Sequence, residues 1–179
     1  MKTIREAAGQ ELIWSQPAAT RRSYELRAGD EVIATLRRER GSLAEAEAAE
    51  GRWTFKREGF WHPRVTVRKA GSEENIADFN PSWMAGDTLE RSGKPPLRFK
   101  PANFWRSQWD WEADVSSPLL HFKSRHGLLK TQGTLEIAAG EAGEPDLGLL
   151  ALLGWYLLLL FAEEAAAASS ATVVATTAH

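Results

Sequence analysis

The sequence predicts a mainly β fold: a closed antiparallel barrel of about twelve strands around a central hydrophobic C-terminal α-helix. Three observations carry this reading. Across residues 11–138, apolar side chains recur at every second position in short runs broken by turn residues. No stretch before Pro145 has an apolar period near 3.6. Residues 147–162 then form sixteen positions without a charge, apolar on every side, as a helix buried all round must be.

The strands follow in order. Tyr24 and Leu26 alternate with Glu25 and Arg27, and Ala28-Gly29-Asp30 turns the chain into Val32, Ala34 and Leu36. Ala44, Ala46 and Ala48 alternate with Glu45 and Glu47. Alanine and glutamate also favour helix, but the strict alternation and flanking turns favour strand. Glu50-Gly51 leads into Trp53 and Phe55, and Val65 and Val67 follow. Ala70-Gly71-Ser72 precedes Ala77 and Phe79, and Ala85-Gly86-Asp87 precedes Leu89. Ser92-Gly93-Lys94-Pro95-Pro96 breaks the chain before Leu97 and Phe99. Trp105, Ser107, Trp109 and Trp111 read as one extended run, with its tryptophans in core or hairpin packing rather than forming a ligand platform. Leu120 and Phe122, then Leu135 and Ile137, complete the strand region.

Pro145 and Asp146 suit a helix N-terminus, so the helix is expected over 146–162. Sixteen residues reach about 24 Å, short of the ~30 Å bilayer core. Acidic residues flank the run on both sides, and no Lys or Arg follows Lys130. The helix is therefore expected to fill the barrel rather than span a membrane, and no transmembrane span is expected. Residues 1–10 read as an N-terminal arm, 11–162 as the barrel domain and 163–179 as a low-complexity, disordered tail.

Composition limits the function. The 179 residues suit one domain with a sizeable core. Eight tryptophans suit a broad β core. The absence of cysteine excludes disulfides, zinc–thiolate sites and thiol nucleophiles. The arm lacks an apolar signal segment, so a cytoplasmic or membrane-peripheral location is expected. Residues 1–130 hold 22 Lys and Arg against 18 Asp and Glu, and residues 131–179 hold six acids and no Lys or Arg. A mildly basic body suits an anionic surface but is too weakly charged to suggest nucleic acid.

Several residues resemble a known family. These are Gly51-Arg52-Trp53-Thr54-Phe55-Lys56-Arg57, Gly59-Phe60 and Arg64-Val65-Thr66-Val67, with Phe104-Trp105, Trp109-Asp110-Trp111 and the run from Pro145 through Leu160. Over residues 11–162 they resemble the tubby C-terminal-like superfamily of tubby-like proteins, phospholipid scramblases and LURP-one-related proteins. The resemblance implies a twelve-strand barrel closed on an apolar helix. Members of that superfamily bind phosphoinositides, scramble lipids in a calcium-dependent way or have no known activity, and the resemblance implies one of these. Residues 138–146 lack the Asp-rich calcium segment of scramblases, and no Cys-rich segment is present.

Asp110, Glu112 and Asp114 share one strand face, where oxygen ligands for calcium or a solvated acidic face are the alternatives. The solvated face is favoured. His62, His121, His126 and His179 show no metal-ligand spacing, and no metal or other cofactor is expected. No nucleophile elbow, Walker loop or dinucleotide fingerprint occurs. The expected function is therefore a non-enzymatic binding or scaffold domain, with peripheral anionic-lipid binding as the alternative and a lipid-translocating or tail-anchored protein as a third. The basic residues expected to hold a headgroup are Arg37, Arg38, Arg40, Lys56, Arg57, Arg64, Arg68 and Lys69.

Overall fold

The computed structural model describes residues 1–18, 22–81, 87–114, 117–126 and 131–176. Trp83, the Ala85-Gly86 turn and His179 lie outside them, as do the side chains of Asp114 and His126. The strands are β1 (Leu12–Ser15), β2 (Ser23–Ala28), β3 (Glu31–Arg38), β4 (Ala44–Ala48), β5 (Gly51–Glu58) and β6 (Arg64–Lys69). They continue with β7 (Asn75–Asn80), β8 (Asp87–Arg91), β9 (Lys94–Pro101), β10 (Gln108–Asp114), β11 (Ser117–His126) and β12 (Thr131–Ile137). One long helix follows, α1 (Leu147–Thr176).

Each strand pairs antiparallel with its neighbour in sequence, and β1 pairs with β12 to close the barrel. Closure removes the exposed edges that an open sheet would offer to another chain. The Ala44–Ala48 ambiguity resolves as strand: Ala44, Ala46 and Ala48 are buried, and Glu45 and Glu47 face out. These small residues leave room for a helix, and α1 contacts β3, β4, β5 and β11.

From Leu147 to Leu160 every residue of α1 is buried. Over Leu147–Ser169 the helix is long and apolar enough to cross a membrane, yet 67 % of its most apolar window lies inside the protein. Ring packing fixes its position. Trp155 stacks on Trp14 with centroids 5.3 Å apart, and Tyr156 packs at 5.5 Å from Phe55. The Tyr156 hydroxyl donates to the Ser42 carbonyl at 2.5 Å.

Three boundaries differ from expectation. The helix continues past residue 162 to Thr176, because alanine is the strongest helix former and Glu163 and Glu164 are held by arginines of the wall. The tail is thus helical through Thr176 rather than disordered. Residues 1–10 are no separate arm: Ile4 and Ala7 are fully buried, and Glu50 accepts the Ile4 amide at 2.6 Å. The extended run expected from Trp105 begins only at Gln108, and Trp105 is exposed while Trp109 and Trp111 are core. Asn103 causes this break. Its side-chain oxygen accepts from the Ser107 and Gln108 amides, which folds residues 102–107 into a tight loop.

Candidate functional site

An up-and-down barrel sends its loops alternately to two ends. The β2–β3, β4–β5, β6–β7 and β8–β9 turns share the end where α1 enters. There Arg91 and Lys94 bind Asp146, and Arg91 also binds Glu144. The β3–β4, β5–β6 and β9–β10 loops share the opposite end, where α1 leaves. At that end Arg38 of β3 holds Glu163, Arg57 of β5 holds Glu164 at 3.0 Å, and Phe161 packs against Trp109, which stacks on Phe99.

The helix-exit end is basic. Four of its described acids are engaged by basic neighbours: Glu39 by Arg37, Glu58 by Lys56, Glu163 by Arg38 and Glu164 by Arg57. Arg22, Arg40, Arg64, Arg106 and Arg125 are exposed and have no acidic partner among the described residues. Strand spacing explains why the surplus gathers here, since each of these residues lies at a strand end or in a loop of this end.

Arg22, Arg38, Glu39, Arg40 and Gly41 line a pocket of about 520 Å3 at this end. Arg38 is its most buried member. Its guanidinium binds both oxygens of Glu163 and lies 5.9 Å over the Tyr156 ring, while its Nε has no partner. Arg38 is thus taken up by Glu163, and the exposed guanidiniums of Arg22 and Arg40 are the groups of the lining that can hold a phosphate or carboxylate by charge-assisted hydrogen bonds. Burial pushes the Tyr156 hydroxyl up to about 12, with Arg38 opposing the shift, and burial also raises Tyr24.

The eight basic residues singled out in the sequence do not form one site. Arg37, Arg38, Arg40, Lys56, Arg57 and Arg64 lie toward the helix-exit end, whereas Arg68 and Lys69 lie toward the entry end, because β6 runs the length of the wall between them. Arg37 is engaged by Glu39 and Glu45, and its hydrogen bond to Glu45 raises its pKa further. Arg68 is engaged by Glu73 and Asn75. Arg38 is buried and bound to Glu163, so it shapes the pocket rather than presenting a free charge to a ligand. Arg22 belongs to the pocket but was not among the eight, since no local pattern marks a residue brought there by strand pairing.

A second pocket, of about 330 Å3, lies on the outer wall between Arg37, Glu45, Glu47 and Arg52. Its opposite charges alternate, so it offers no net field for an ion.

Asp110 and Glu112 of β10 have basic neighbours, and Glu112 is buried rather than on the expected solvated face. Asp110 lies 2.5 Å from His121 on the facing strand, and Glu112 lies 2.9 Å from Lys100. Among the described residues no group of three His, Asp or Glu side chains could hold a metal ion. No hydroxyl hydrogen-bonds to His121 among the described residues.

Two loops of the helix-exit end display aromatic pairs, of which the sequence led only Trp105 to be expected in packing. Phe60 and Trp61 are 89 % and 85 % exposed, and Phe104 and Trp105 are 90 % and 82 % exposed. A signal was present. Two adjacent large rings cannot both face the core of a strand, and turn residues adjoin each pair, Gly59 and Pro63 around the first and Pro101 and Asn103 before the second. Comparison of the chain with protein-family models, with curated proteins and with solved structures gives no match.

Proposed function

We propose that this chain is a non-enzymatic binding module whose ligand is an anionic membrane surface, engaged through the helix-exit end of the barrel. The observation that carries this reading is the surplus of unpaired arginines on that end, two of which, Arg22 and Arg40, line the pocket with Arg38. The resemblance to tubby-like proteins and scramblases points the same way. The pocket takes the phosphate of a headgroup, and Arg64, Arg106 and Arg125 add attraction around it. Each Lys or Arg near an anionic leaflet contributes on the order of 1 kcal/mol. Binding is therefore weak for one arginine and measurable for several together. Calcium should not be required, because residues 138–146 lack the Asp-rich segment of scramblases.

Co-sedimentation with vesicles tests the reading. Binding is expected on phosphatidylserine-containing vesicles and to weaken as salt rises, since the Debye length falls to about 8 Å at physiological ionic strength. R22E with R40E should abolish the preference for anionic lipid, and R68E with K69E at the other end should leave it intact. Equal binding to neutral and anionic vesicles, or indifference to R22E/R40E, overturns the proposal.

A further inference from the structure

We propose that the helix-exit end is a membrane-docking face on which two Phe-Trp tips, Phe60-Trp61 and Phe104-Trp105, seat in the interfacial layer of a phospholipid bilayer while the uncharged last turns of α1 enter the lipid between them. The inference rests on the membrane reading above but concerns a different contact: apolar insertion rather than headgroup charge.

The tips are built alike. In each, the phenylalanine and tryptophan rings meet edge to face, with centroids 5.3 Å apart at 89° in one loop and 5.4 Å apart at 82° in the other. Such rings, apolar in body with an N–H at one edge, are suited to the boundary between headgroups and acyl chains. Neither tip is a loose loop that happens to point outward. Gly59 has φ +85°, and a Cβ there would meet the His62 carbonyl oxygen at 2.4 Å, so only glycine permits this turn. In the second loop Arg106 holds φ +53° and its carbonyl accepts the Trp109 indole N–H at 2.8 Å, while Asn103 bonds three groups of residues 107 and 108. Local interactions thus hold four large apolar side chains in water.

Three further features select a bilayer as the occupant. Four strands separate the tips along the wall, roughly 19 Å at ~4.8 Å per strand, so they flank a broad face rather than a single groove. Unpaired arginines adjoin both, Arg64 beside the first and Arg106 within the second, which complements an anionic leaflet. The helix leaves the barrel at the same end. Residues 165–176 carry no charge and extend about 18 Å past Glu164, so a planar surface could meet the tips only by admitting that helix. The acids at the mouth, Glu163 and Glu164, are already paired with Arg38 and Arg57 and need not enter the lipid as free charges.

The test uses the full chain with vesicles of phosphatidylcholine and phosphatidylserine, plain or with brominated acyl chains. Brominated lipid should quench the tryptophan emission of the bound protein, and F60S/W61S and F104S/W105S should each weaken partitioning roughly tenfold or more. Thermal melting checks that the variants fold; if one does not, quenching of the unaltered chain decides. If vesicle binding persists, is abolished by salt, and neither quenching nor the tip variants show an effect, this inference is overturned and the headgroup reading stands. No binding to any vesicle overturns both. A dimer in sedimentation that the tip variants dissolve, with no vesicle binding, makes a second copy the occupant and overturns the inference too.

Discussion

Trp111 on β10 donates its indole N–H to the Leu150 carbonyl of α1 at 3.0 Å, and it reaches that carbonyl through the space where Gly154 has no side chain. A Cβ at position 154 would lie 2.5 Å from the Phe122 ring and 2.8 Å from the Trp111 indole nitrogen. Two effects oppose each other in G154A. Helix propensity alone favours alanine by about 1 kcal/mol. Overpacking in a filled interior costs about 1–3 kcal/mol, and displacing Trp111 also leaves its buried N–H unmet. Packing wins, because both clashing rings are fully buried and cannot swing away. G154A is expected to lower the melting temperature, and an increase would refute the interdigitation.

Tyr156 gives a pH dependence with a definite sign. Its hydroxyl is raised from 10.0 to about 12, chiefly by burial. The unfolded chain ionises this tyrosine near pH 10, whereas the folded chain keeps it neutral. Its contribution is therefore complete below pH 10 and is lost as pH climbs from 10 to 12, on the order of 2–3 kcal/mol in all. Y156F removes the bond to Ser42 and costs about 1 kcal/mol at neutral pH. Denaturant titrations of Y156F should fall less steeply between pH 10 and 12 than those of the parent chain. Parallel pH profiles would contradict the assignment.

Much of this architecture is legible in the residue pattern, for reasons that particular residues make plain. Ala44, Ala46 and Ala48 alternate with glutamates, and a barrel wall imposes that period. An all-round apolar run has no polar face to give to water, so α1 must be enclosed. Even the burial of Arg38 follows from parity with Leu36, which shares its side of β3. What spacing does not reveal is which strands meet. The Arg22–Arg40 pocket arises from β2–β3 pairing, and Glu163 finds Arg38 across 125 positions of chain. The break at Asn103 was likewise hidden, because Trp105 has the same parity as Trp109 and Trp111, while side-chain capping of backbone amides ends the extended run.

Arg37 and Arg38 adjoin in sequence but respond oppositely to charge reversal. Arg37 is exposed and paired with the half-buried Glu39 and the exposed Glu45, a type of contact worth about 0–1 kcal/mol. R37E is expected to leave the melting temperature within a few degrees of the parent. Arg38 is buried at the mouth against Glu163. R38E would set two carboxylates together in a site with little water, and losing a buried partner costs about 3–5 kcal/mol. The half-exposed side chain of Glu163 moderates that figure, so a loss of roughly 2–4 kcal/mol is expected on urea unfolding. Equal tolerance of R37E and R38E would show that the mouth pair contributes nothing to the fold.

Two truncations separate the part of α1 that builds the core from the part that leaves it. Residues 163–169 are exposed, and Glu163 and Glu164 are paired to the wall. A chain ending at Glu164 keeps both pairs and the buried segment from Leu147 to Leu160, so it should melt cooperatively within a few degrees of the full chain. A chain ending at Pro145 loses nine buried leucines together with Trp155 and Tyr156. Each buried leucine contributes roughly 1.5–3 kcal/mol of transfer free energy, and their sum exceeds the ~5–15 kcal/mol net stability of a typical domain. Ala44, Ala46 and Ala48 are too small to close the resulting void, and Trp14 and Trp111 lose their partners on the helix. The shorter chain should therefore show no cooperative thermal transition and should bind a hydrophobic dye. A sharp transition in that chain would mean that the wall folds without its helix and would refute a core built on α1.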